Sequence, residues 1–155
     1  MNAAARRPAK PGQPLTAEDA NRRLPLARAI VADLVTLHRD LVDRRERLAR
    51  IRKLPGGKRQ EGSLYSEELE QIELEIARDD ETLRGYVAEL ESLGGTVRDP
   101  ATGCIEFAGR LEGKQVFFGW RQGSEDLNYW RSADDDDSQQ HPLLQGSVSQ
   151  DDDAT

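Results

Sequence analysis

The sequence predicts an α+β protein: a long antiparallel two-helix, coiled-coil-like hairpin, followed by a small antiparallel sheet of three or four strands. Three observations predict it. Apolar residues recur at spacings of three, four or their sum from Ala20 to Ile51, and again from Leu69 to Leu93, which is the helical period. After Gly95 the period becomes two, as in a strand with one face buried. Glycine and proline fall where the patterns break, at Pro55 to Gly57, at Gly94 and Gly95, and between Pro100 and Gly103.

Residues 1–14 are rich in Ala, Pro and basic side chains and have no period, so a disordered segment is expected. Thr16 is a suitable N-cap. Asp19 can close a variant of the capping box, and Glu18 and Asp19 suit the positive end of a helix. The first seam is Ala20, Leu24, Ala27, Ile30, Leu34, Leu37, Leu41, Leu48 and Ile51. Pro25 cannot donate to the carbonyl of Asn21 and disfavours helical geometry at Leu24, which predicts a kink or a short first helix with a fresh start. Residues 54–63 read as a loop. The second helix is predicted from near Ser63 or Ser66, with Leu69, Ile72, Ile76, Leu83, Tyr86, Leu90 and Leu93 as its seam, and Gly94–Gly95 as its end.

Folding the two seams back on each other sets Ile51 against Leu69, Leu48 against Ile72, Leu37 against Leu83, Leu34 against Tyr86 and Ile30 against Leu90. Each seam has one polar exception, Arg44 and Asp79. Their offset of roughly 4.5 Å along the axis follows from the helical rise and is within reach of an arginine. An Arg44–Asp79 pair would fix the register; separate snorkelling of both side chains to solvent is the alternative. Charge is complementary as well. Residues 39–59 carry nine basic and three acidic side chains, and residues 66–93 carry ten acidic and two basic, which opposes a slipped or parallel arrangement.

The strands are read as Thr96–Arg98, Cys104–Ala108, Gln115–Trp120 and, as a possible fourth, Leu127–Arg131. Ile105 and Phe107 share one face. So do Val116, Phe118 and Trp120, with Phe117 opposite. Residues 15–131 then form a single domain, with the hairpin at 16–94 and the β-module at 95–131. Residues 132–155 read as a disordered acidic tail. That tail holds seven Asp and no Lys or Arg. Without it, the 29 acidic residues fall to 22, against 22 basic ones, so the net charge of −7 belongs to the tail.

The same composition narrows the function. A single cysteine, Cys104, excludes an internal disulfide framework and suits a reducing cytoplasm. Arg6 and Arg7 are followed by no apolar run, so no signal peptide is expected, and no stretch approaches the roughly 18 apolar residues of a membrane span. His38, His141 and Cys104 lie in different elements, without metal-ligand spacing or a nucleophile–base pattern, and no glycine-rich phosphate loop is present. No metal and no cofactor are therefore expected. Asp134–Asp137 and Asp151–Asp153 lack the spaced ligands of a calcium loop. The basic run from Arg44 to Lys53 could meet phosphates, but Leu48 and Ile51 belong to the seam and the facing helix supplies acids, so nucleic acid is a weak partner reading. The cluster with most chemical promise is Glu106, Arg110, Trp120, Arg121, Tyr129 and Trp130, since Tyr, Trp and Arg are enriched at interaction sites. Its plain alternative is that Trp120 and one of Tyr129 or Trp130 fill the core.

Several stretches resemble one family. Leu15 to Asn21 followed by Leu24-Pro25-Leu26, Gly103 to Gly113, and Gly119-Trp120-Arg121 through Tyr129-Trp130 are similar to domain of unknown function 2203, over roughly residues 15–131. Where that family carries His after the Tyr-Trp pair, this chain has Arg131. The resemblance implies a cytoplasmic bacterial protein and brings no established activity. Taken together, the residues favour a non-catalytic interaction or scaffolding module, with a protein partner or a second copy of the chain. A small-ligand binder or enzyme built on the Glu106 cluster is the alternative.

Overall fold

The computed structural model describes residues 14–54, 64–134 and 139–143. The predicted segments at 1–13, most of the loop at 55–63, and tail residues 135–138 and 144–155 lie outside them. Two helices, α1 (Ala17–Arg52) and α2 (Leu64–Ser92), precede five strands: β1 (Gly95–Asp99), β2 (Cys104–Leu111), β3 (Lys114–Arg121), β4 (Tyr129–Ser132) and β5 (His141–Pro142). The strands form one sheet in chain order, each antiparallel to the next.

Thr16 caps α1 as the sequence predicts. Its side chain accepts from the Asp19 amide at 3.0 Å and Asp19 returns the bond to the Thr16 amide at 3.3 Å. Of the two outcomes expected at Pro25, the fresh start does not occur: α1 runs as one helix through it. Leu24 and Ala27 on either side are buried in the core while Pro25 itself is exposed. Tertiary packing of the flanking turns thus overrides the local cost of about 3 kcal/mol for a proline inside a helix.

The main core lies at the open end of the hairpin. There Leu15, Leu24, Ile30, Val31, Leu34 and Val35 meet Leu90 and the inner sheet face of Ile105, Phe107, Val116, Phe118 and Trp120. The distal hairpin has a separate small core of Leu48, Leu69 and Ile72, with Ile51 and Ile76 against it. Among the described residues five ion pairs cross between the helices, one of them Arg44 with Glu75 at 4.0 Å. Arg44 meets Asp79, Arg45 meets Asp80 at 2.5 Å, Arg47 meets Glu68 at 3.3 Å, and Arg52 meets Glu73. The basic run from Arg44 thus faces its own second helix.

Sheet register follows the predicted faces. Ile105 lies opposite Trp120, Phe107 opposite Phe118 and Gly109 opposite Val116. The β2–β3 turn is a two-residue hairpin with Glu112 and Gly113 both at positive φ, 51° and 81°, which matches the twist of the strands. The sheet has one strand more than predicted. His141–Pro142 belongs to the segment whose composition reads as tail, yet it pairs with Tyr129 and Trp130. A two-residue strand leaves no period to read; what holds it is the Leu143 amide bond to the Asn128 carbonyl at 2.8 Å and the His141 ring stacked on Trp130 at 4.2 Å. Leu15 adds a bridge beside β2. Its amide and carbonyl bond Ala108 and Arg110 at 3.0 and 2.9 Å, and Gly109 between them has no room for a Cβ.

We propose that the Arg44–Asp79 contact fixes hairpin register. Both side chains are part-exposed, at 37% and 23%, so solvent screening limits the pair. A double-mutant cycle with Arg44→Ala and Asp79→Ala, read by urea unfolding, is expected to give a coupling of about 0.5 kcal/mol. A coupling of zero removes the pair from the account of register.

Candidate functional site

The outer face of the sheet carries the polar cluster. Alternation puts Cys104, Glu106, Ala108 and Arg110 of β2 on the face opposite Ile105 and Phe107. Across β3 and β4 the register adds Arg121, Gly119 and Phe117, then Tyr129 and Arg131. Glu106 is at the centre, 4% exposed, and is the one buried charged residue of the described core. Burial of an ionised carboxylate demands compensation. Arg131 supplies it in bidentate form, Nε to Oε2 at 2.9 Å and Nη2 to Oε1 at 2.8 Å. The Tyr129 hydroxyl donates to Oε2 at 2.5 Å, and the Arg98 guanidinium stands 3.5 Å from Oε1.

Gly119 makes this geometry possible. It lies between Glu106 and Tyr129 in the ladder, and a Cβ there would meet the Tyr129 ring at 2.0 Å. The ring therefore lies against the bare backbone, which carries its hydroxyl to Glu106 and to within 3.6 Å of the Cys104 thiol. Arg121 covers the ring, its guanidinium carbon 4.8 Å from the centroid, and donates to the Gln140 side chain at 2.6 Å. Arg131 lies over Phe117 in the same way, at 4.4 Å. No buried polar side-chain atom among the described residues lacks a partner.

The electrostatics follow from the contacts. Burial pushes the Glu106 carboxyl up, but the hydrogen bonds of Arg131 and Tyr129 and the charges of Arg131 and Arg98 outweigh it, and the net shift is downward. Burial, then the bond to Glu106, pushes the Tyr129 phenol up, so it stays a neutral donor. The Glu106 bond raises Arg131, which stays charged.

The sequence-predicted cluster is only partly brought together. Glu106, Arg121 and Tyr129 meet. Trp120 is on the inner face, fully buried, with its Nε1 donating to the Ser124 carbonyl at 2.8 Å. Trp130 is also on the inner side, packed against the core and on His141. Arg110 is exposed at the far end of β2, where it borders a shallow cavity of about 270 Å³ with Pro14, Leu15 and Thr16. Arg98, Cys104, Gly119 and Arg131 were not among the predicted residues. The period-two pattern carried a signal for three of them: Cys104 shares a face with Glu106, Gly119 with Phe117 and Arg121, and Arg131 with Tyr129. Among the described residues no group of three or more His, Cys, Asp or Glu could hold a metal ion.

These features define an α+β protein in which a helical hairpin covers one face of a meander sheet and a closed Glu–Tyr–Arg network occupies the other. The chain belongs to the family of uncharacterized conserved proteins known as DUF2203, whose model matches residues 14–143, and so includes β5. No curated protein and no solved structure matches it.

Two substitutions test the Gly119 account. Gly119→Ala is expected to destabilise the fold by about 1–3 kcal/mol in urea unfolding, the range for overpacking. Gly85→Ala, in α2 with open space around it, is expected to stabilise by about 0.5–1 kcal/mol. Equal effects would refute the steric role of Gly119.

The Glu106 network predicts a pH signature. A carboxyl with a lowered folded pKa contributes stability that is complete above its unfolded value, 4.5, and is lost as pH falls through the lower folded value. Glu106→Gln is therefore expected to cost about 1.5–3 kcal/mol at neutral pH, the range for hydrogen bonds to charged groups. The difference from wild type should then shrink below pH 4.5. A gap that stays constant to strongly acid pH would show that Glu106 does not carry it.

Proposed function

We propose that this protein is a non-catalytic interaction module that presents its distal hairpin to a protein partner or to a second copy of itself. The observation that carries the reading is the separation of the two cores. The sheet and the open end of the hairpin bury the large side chains together, whereas among the described residues the distal arm holds the small Leu48–Leu69–Ile72 cluster. A seam of that size buries little surface per residue, and such small units are marginal alone. The arm also exposes Val42 and Leu74, at 38% and 57%. The closed state of the Glu106 network supports the same reading: its carboxylate is already bonded by Arg131 and Tyr129, which favours a positioning role over proton transfer. Nucleic acid is disfavoured by the pairing of Arg44, Arg45, Arg47 and Arg52 with acids of α2. No helix among the described residues is long and apolar enough to cross a membrane; we place the protein in the cytoplasm.

The test uses the full chain and a Val42→Glu/Leu74→Glu variant, with folding checked by circular dichroism. Light scattering at micromolar concentration reports self-association, and co-purification from native cells with mass spectrometry reports partners. Wild type is expected to show a mass above 17.3 kDa or specific co-purifying proteins, either of which the variant loses. A monomeric wild type with the same co-purifying proteins as the variant would reject the arm as an interaction surface.

A further inference from the structure

We infer that the outer sheet face holds an oxyanion site for a phosphate-type group, clamped between Arg98 and Arg121. The inference does not depend on the hairpin reading. Cys104 pairs with Arg121 on one side and lies beside the bulge next to Arg98 on the other, so the two arginines flank the same position of the sheet from β1 and β3. Adjacent strands are about 4.8 Å apart, which sets the two backbones roughly 10 Å apart. Arginine side chains reach across that gap.

Charge supports the assignment. Two guanidiniums, Arg98 and Arg131, meet the Glu106 carboxylate, and a third, Arg121, stands over the Tyr129 ring that bonds it. Glu106 is bonded by Arg131 and Tyr129, and its contact with Arg98 is an ion pair at 3.5 Å. Against Glu106 and the neighbouring Asp99, the three guanidiniums leave one positive charge. The Asp99 carboxylate is itself bonded by the Ala101 amide at 3.0 Å and the Thr102 hydroxyl at 2.9 Å. A phosphate monoester carries about 1.5 to 2 negative charges near neutral pH, so this excess attracts it.

The donors are also held in place. Arg121 is fixed by the Tyr129 ring and by Gln140, and one bond to Gln140 leaves most of its five N–H groups for a ligand. Arg98 is oriented by the buried Glu106 and is itself 39% exposed. Guanidinium forks match the spacing of phosphate oxygens, whereas the aromatic rings here are covered by Arg121 and Arg131 and offer no free stacking surface for bases. The phosphate can come free in solution or on a phosphorylated side chain of a partner protein.

Calorimetric titration at fixed ionic strength distinguishes these cases. The probes are inorganic phosphate, a phosphoserine peptide and the same peptide unphosphorylated. Wild type is expected to bind phosphate or the phosphopeptide saturably, and not the unphosphorylated peptide. Arg121→Gln, which leaves every contact of Glu106 intact, should weaken binding at least about tenfold. Arg98→Gln should do the same, and Arg110→Gln at the far end of β2 should not. Tighter binding of the phosphopeptide than of phosphate assigns the ligand to a partner protein; equal or weaker binding assigns it to free phosphate. No saturable binding of either phosphate probe, or equal affinity in wild type and Arg121→Gln, overturns the site.

Discussion

The structure depends on one constraint: a single sheet must bury the large side chains of its inner face. Phe107, Phe118 and Trp120 are fully buried. They reach that state only because α1 and α2 bring Leu24, Val31, Leu34 and Leu90 across them. Each large aromatic is worth several kcal/mol in apolar area removed from water. Among the described residues, nothing on the distal arm approaches that. The open end of the hairpin is therefore the part of the helices that the fold requires, and this explains why Pro25 is tolerated there. Arg23 and Arg28 add polar ties at the same end, bonding the Leu93 and Glu125 carbonyls at 2.6 and 2.5 Å.

Covering one face leaves the other to cover itself. The outer face has no helix layer, yet Glu106 is as buried as most of the core. Side chains of its own strands do the covering: Tyr129 laid on Gly119, Arg121 laid on Tyr129, and Arg131 laid on Phe117. The glycine is what lets an aromatic ring lie flat rather than stand off the sheet. Gln140 completes the cover from the edge by holding Arg121, while His141 of the same segment stacks on Trp130 on the inner face.

The parts of this architecture that were legible in the sequence are those set by period and by punctuation. The seams, the Thr16 cap, the hairpin faces and the strand alternation all follow from residue spacing, and the structure has them. The strand at His141–Pro142 was not legible, because two residues have no period and the surrounding Asp and Gln read as solvated chain. The polar cluster was half legible. Residue type drew notice to Trp120 and Trp130, but their size makes them core formers, and the inner face takes them. Arg98 and Arg131 are ordinary arginines by type. Only the ladder register, which sets Thr96 against Glu106, Glu106 against Gly119 and Gly119 against Tyr129, brings their neighbourhoods together.

Ionic contacts at the two ends of the molecule have different weight for a physical reason. The side chains in those on the arm are 23% to 60% exposed, and exposed pairs are worth about 0–1 kcal/mol each. They bias register and orientation rather than hold the fold. The Glu106–Arg131 pair is 5% and 13% exposed, and removing one partner there strands a buried charge. Sensitivity to substitution is therefore concentrated in the sheet, while the arm surface is free to vary without loss of the fold. That division separates a rigid platform from an adaptable surface within one chain.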